Sequence, residues 1–119
     1  MNETINEMRR QRDRRLRRRL LETLYSARAF APSGWYGTRA MVDLLAAAGA
    51  AVEDEAHAMG LLTDLVNKGL IELRDTRTRK LQPYGLGCLD ARIVARGSSL
   101  VEETEPPDAD IEDERLPNA

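Results

Sequence analysis

Between Leu61 and Leu73 the hydrophobic period changes, and this change narrows the fold more than any other feature of the chain. Leu61, Leu62, Leu65 and Val66 recur at three- and four-residue spacing and share one helical face. Asn67 and Lys68 follow as polar last-turn residues, and Gly69 supplies the left-handed position that ends a helix. Leu70, Ile71 and Leu73 then read as a strand, apolar and partly β-branched. Residues 40–73 are therefore expected to run helix, short turn, helix and strand.

A chain of 119 residues with 42% hydrophobic content can bury one modest core. Only five residues are aromatic, so Leu and Ala must fill most of it. The single cysteine, Cys88, can form neither an internal disulfide nor a cysteine-only zinc site, and it fits a reducing compartment. The longest apolar run, 44–52, falls far short of the ~20 residues of a membrane span. No signal-peptide core follows Met1-Asn2-Glu3. These features lead us to expect a cytoplasmic protein with no membrane partner.

The net charge of −2 conceals an asymmetry. Arg9, Arg10, Arg12, Arg14, Arg15, Arg17, Arg18 and Arg19 crowd one end, opposed there by Asp13. Glu102, Glu103, Glu105, Asp108, Asp110, Glu112, Asp113 and Glu114 crowd the other. A basic body suggests contact with nucleic acid. The alternative is an arginine-rich helix that solvates one face while Leu16, Leu20, Leu21 and Leu24 bury the other.

Residues 1–12 read as a polar, basic arm, residues 13–103 as the domain, and residues 104–119 as an acidic, disordered tail. In the domain, 13–28 is helical, with Leu16, Leu20, Leu24 and Ala27 on one stripe and Arg15, Arg18, Arg19 and Glu22 opposite. Pro32, Ser33 and Gly34 break it. Trp35 and Tyr36 suit a short strand pairing with a later hairpin, and Trp35 has a stacking platform for a base as its functional alternative. Thr38 is placed to cap a helix over 39–48, with Met41, Leu44 and Leu45 inward and Gly49 at its end. Glu53, Asp54 and Glu55 open the next helix, where negative charge favours the dipole.

That helix is expected to turn Glu53, His57, Gly60, Asp64 and Asn67 outward. Base readers are usually Arg, Lys, Asn or Gln, and only His57 and Asn67 are useful donors on this face. The strand over 70–75 leads into a basic segment containing Arg77, Arg79 and Lys80, and a returning strand spans 86–95. Gly97, Ser98 and Ser99 open a short last helix through Leu100 and Val101. Pro106-Pro107 and the charge beyond them mark the tail, whose acids are suited to fold over the arginine-rich end and compete with nucleic acid.

Two helices, a strand and a basic hairpin have the layout of a winged helix-turn-helix, an α+β and mainly α fold with a three-helix core, a hairpin wing and a short C-terminal helix. Residues 61–73, the variable wing and residues 90–103 resemble winged-helix domains of the ArsR/MarR kind. Residues 94–100 match the T-x-x-G-x-x-L turn of that family, with Val94 at its threonine. More loosely, residues 16–117 resemble small winged-helix proteins of Mu-like bacteriophages and prophages, which share a Pro-Gly-aromatic segment, here Pro32 to Tyr36, and a polar, proline-containing tail. The basic N-terminal end, long wing and acidic tail depart from the pattern. The ArsR metal-binding cysteines are absent, so metal sensing does not carry over.

The resemblance implies a transcriptional regulator that binds double-stranded DNA, possessing no cofactor or metal. The candidate contacts are Arg15, Arg18, Arg19, Arg39, His57, Asn67, Arg74, Arg77, Arg79 and Lys80. A homodimer is expected, because one small module reads too few bases to be selective. Enzymatic motifs are lacking: there is no glycine-rich phosphate loop, no catalytic Cys/His arrangement and no metal-ligand spacing. The alternative is a protein-interaction module on the same fold, such as a phage assembly or packaging factor, which the acidic helix face would suit.

Overall fold

The computed structural model describes residues 2–31, 33–75 and 89–113. Its first helix, α1 (Asn2–Ala27), begins well before the expected start at residue 13. The early turns hold neither Gly nor Pro, and Glu7 accepts from Arg10 at 2.9 Å and from Gln11 at 3.0 Å, the i+3 and i+4 pairs that support an exposed helix. The expected boundary marks a change in burial. Residues 3–11 are exposed, Arg12 is half-buried and Leu16 is the first core residue.

A two-residue strand, β1 (Tyr36–Gly37), leads directly into α2 (Thr38–Ala47). Thr38 is not the cap. Gly37 occupies that position, and the buried Thr38 hydroxyl donates to the Leu89 carbonyl at 3.1 Å. Met41, Val42 and Leu45 point inward. Leu44 was expected with them but is 51% exposed, because one residue before Leu45 is about 100° around the helix. Next comes α3 (Glu55–Asn67), which buries Ala58, Leu61, Leu62 and Leu65 and half-buries Val66.

The sheet comprises β1, β2 (Ile71–Asp75) and β3 (Leu89–Ile93), in the order β1-β3-β2 and antiparallel throughout. Ile71 pairs with Ile93, Leu73 with Ala91, and Asp75 with Leu89, and all six turn to the core. On the other face, Glu72 pairs with Arg92 and Arg74 with Asp90, opposite charges set across the strands. The last helix, α4 (Ala95–Val101), starts earlier than expected, so Ala95 is helical and Gly97 lies inside the helix. Val94 ends the strand by donating to the Leu70 carbonyl at 3.1 Å, and it caps α4 with no side-chain hydrogen bond.

Among the described residues the domain is therefore α+β and mainly helical, with four helices and a small antiparallel sheet. Its core is aliphatic, with α1 supplying Leu16, Leu20, Leu21 and Leu24 and with Leu100 and Ile111 closing one side. No described helix is long and apolar enough to cross a membrane.

Three helices end alike. At Gly49, Gly69 and Glu103 the chain turns left-handed, with φ of 83°, 72° and 64°. The residue after each donates back five positions, as Ala50 does to Leu45, Leu70 to Leu65, and Thr104 to Ser99. Only the third site lacks glycine. Glu103→Gly should therefore raise stability by ~0.5–1 kcal/mol in urea unfolding, because a side chain pays for positive φ. An unchanged midpoint would mean that the Glu103 side chain offsets its backbone strain.

The segment expected to be a disordered tail is in place as far as Asp113. Ile111 is 2% exposed. The Glu112 N–H donates to the Arg14 carbonyl at 3.1 Å, and Arg17 donates to the Asp110 carbonyl at 3.0 Å. Residues 102–113 thus form an acidic strap along α1.

Candidate nucleic-acid interface

Three of the eight arginines of α1, Arg12, Arg17 and Arg18, tie the helix to the rest of the fold. Arg12 reaches the entry of α3, 2.7 Å from Glu53 and 3.2 Å from Asp13. Burial lowers its proton affinity, but the hydrogen bonds to Glu53 and Asp13 outweigh that and leave its pKa raised. Arg17 spans from Asp64 of α3, at 2.8 Å, to the strap. Arg18 is 4% exposed, bonding Glu22 at 2.9 Å and the Val101 carbonyl at 3.4 Å. Arg18 is therefore withdrawn from the expected phosphate contacts, because α4 and the strap cover its side of α1. Arg15 and Arg19, one turn apart, remain exposed on the outer face and make no ion pair among the described residues, and the same holds for Arg9.

His57 is also drawn into the fold. Its N–H donates to the Asp54 cap at 2.8 Å, and its Nδ1 accepts from the Glu53 N–H at 3.0 Å. An accepting Nδ1 places the proton on Nε2, which donates to Asp13 at 2.8 Å. The ring thus ties α1 to the start of α3, with both nitrogens engaged. Arg39 is exposed and bonds Glu55 at 3.1 Å, bridging α2 and α3. Asn67 is exposed at the end of α3, beside Arg17, Asp64, Lys68 and Asp110 in an open cleft of about 380 Å³. The outward surface of α3 carries Glu55, Ala56, Gly60 and Asn67, with Thr63 half-buried, and includes neither Arg nor Lys.

On the outer sheet face, the guanidinium groups of Arg74 and Arg92 lie 4.1 and 4.4 Å from the centre of the Trp35 ring. Arg92 also bonds Glu72 at 2.6 Å, and Arg74 lies 3.8 Å from Asp90. Two guanidinium groups already lie against the indole, so Trp35 is not a free stacking platform. Arg74 is half-buried against it. Arg77, Arg79 and Lys80 lie outside the described residues.

One cationic cluster escaped the sequence reading. Lys68, at the end of α3, holds both Asp108 oxygens at 3.1 Å and Asp110 at 2.9 Å. The bond to Asp110 raises the Lys68 pKa, and the same bond lowers that of Asp110. Arg96 of α4 lies 3.7 Å from Glu105 and donates to the Lys68 carbonyl at 2.9 Å. The available signal was Ile111, a large apolar side chain in an acidic stretch. No cluster of His, Cys, Asp and Glu suited to a metal occurs among the described residues.

No protein-family model, curated protein or solved structure matches this chain.

Proposed function

We propose that the chain is a winged-helix DNA-binding protein acting as a transcriptional regulator, a cytoplasmic protein of the phage-encoded kind that its sequence resembles. One observation carries this reading. Strands β2 and β3 form a hairpin closed by the Asp75–Leu89 pair, in a sheet ordered β1-β3-β2 packed with four helices. The segment joining them, 76–88, holds Arg77, Arg79 and Lys80 and no acidic residue. A net charge of three at the end of a hairpin suits the phosphate backbone or the minor groove. Arg15 and Arg19 add backbone contacts without sequence information, and two copies together would read enough bases to be selective.

Fluorescence anisotropy with random duplex DNA across a salt series tests the reading. Binding should weaken steeply with salt, and replacing Arg77, Arg79 and Lys80 with alanine should flatten the slope by ~3, about one for each phosphate contact. An unaltered slope would move the contacts off the wing.

The outward face of α3 favours a second reading. Its Ala56, Gly60 and Thr63, with the exposed Leu44 of α2, suit a protein surface better than a major groove. An absence of DNA binding at low salt would favour that module, with an assembly or packaging partner.

A further inference from the structure

Three helices bring cations to the strap: Arg17 and Lys68 line the cleft beside Asn67, and Arg96 reaches the Lys68 carbonyl. Arg17 comes from α1, Lys68 from the end of α3 and Arg96 from α4. The strap lays Glu105, Asp108 and Asp110 against them. Both carboxylates on Lys68 come from this one segment. Asp64, on Arg17, is the only other acid among the described residues that lines the cleft.

The strap has anchors that do not depend on its carboxylate groups. Ile111 is buried in the core cluster, the Glu112 N–H bonds the Arg14 carbonyl, and Arg17 bonds the backbone oxygen of Asp110. The Asp110 side chain is 59% exposed, and an ion pair that open contributes little to stability. Asp110 therefore matters more as charge than as glue, while Asp108, 22% exposed, also accepts the Asp110 N–H at 2.8 Å, a bond that an asparagine oxygen can keep. The strap sets anions, one after another, onto cations drawn from separate helices.

We propose that Arg17, Lys68 and Arg96 form a second binding site for a phosphodiester backbone, which the chain's own Glu105, Asp108 and Asp110 occupy in competition with it. The site rests on the nucleic-acid reading given above and adds its regulation. A duplex carries about one charge per 1.7 Å of axis, far denser than three carboxylates, so at low salt it displaces the aspartate side chains while Ile111 keeps the strap attached. The competition makes apparent affinity depend on the charge of the strap.

The test compares the full-length chain with an Asp108→Asn/Asp110→Asn variant, which keeps the shape of the strap and its apolar anchor. Both are titrated into a labelled 20-base-pair random duplex from low to moderate salt, with thermal unfolding recorded for each. The variant should bind about tenfold more tightly at low salt, with a slope steeper by ~1–2 for the cations released. Adding Lys68→Ala to the variant should cancel most of the gain. Equal affinity and slope for the two proteins would overturn the competition and leave the DNA reading standing. Binding by neither protein would overturn both.

Discussion

Replacing Gly97 with alanine should lower the stability of the domain by about 3 kcal/mol, seen as a fall of ~10 °C in melting temperature. An added Cβ would sit 2.2 Å from the Leu70 oxygen, 2.7 Å from Ile93 Cγ1 and 3.1 Å from the Leu70 carbonyl carbon. Two of these atoms are backbone and cannot swing aside. The same carbonyl accepts the Val94 N–H, the bond that turns β3 into α4. Relief of the clash would push α4 off the sheet. The sign is informative, because glycine to alanine in a helix interior ordinarily gains ~1 kcal/mol. Gly60 in α3 supplies the control: nothing lies within 4 Å of its added Cβ, so Gly60→Ala should stabilise. If both substitutions stabilised, α4 would not pack against Leu70 as closely as described.

Replacing Ile111 with alanine should cost ~3 kcal/mol, within the usual range for deleting a buried aliphatic side chain. Its side chain is 2% exposed and belongs to the same apolar cluster as Leu16, Leu20 and Leu100. Urea unfolding of the variant would measure the loss. Truncation after Glu103 sets the ceiling, since a strap can come away instead of leaving a cavity. If neither change moved the midpoint, the segment would behave as the loose tail that its composition suggests, and the competition proposed for Asp108 and Asp110 would lose its anchor.

Much of the fold was legible because its signals are local. The period change at Gly69, the left-handed glycines and the alternation along 89–93 each involve neighbours a few residues apart. Short strand β1 was legible from the break at Pro32 to Gly34 and the aromatic pair after it. The errors were local too where two signals competed. Thr38 has the chemistry of a cap, yet its hydroxyl is spent on the Leu89 carbonyl, a partner visible only across the sheet. Leu44 fits the apolar count of α2, but Val42 takes the inward place.

The candidate site was less legible. Arg15, Arg18 and Arg19 look alike in the sequence, and only the placement of α4 and the strap separates the buried Arg18 from the exposed pair. His57 was read as an outward donor, although Asp13 and the Glu53 N–H consume its ring. Local signals in the sequence carry most of the elements, their order and the charge at each end, but not the early turns of α1 or the strap. The tertiary structure alone decided which charges are spent. Ion pairs such as Arg17–Asp64 and Lys68–Asp108 join residues 47 and 40 positions apart, and no periodicity along the chain records a pairing at that distance.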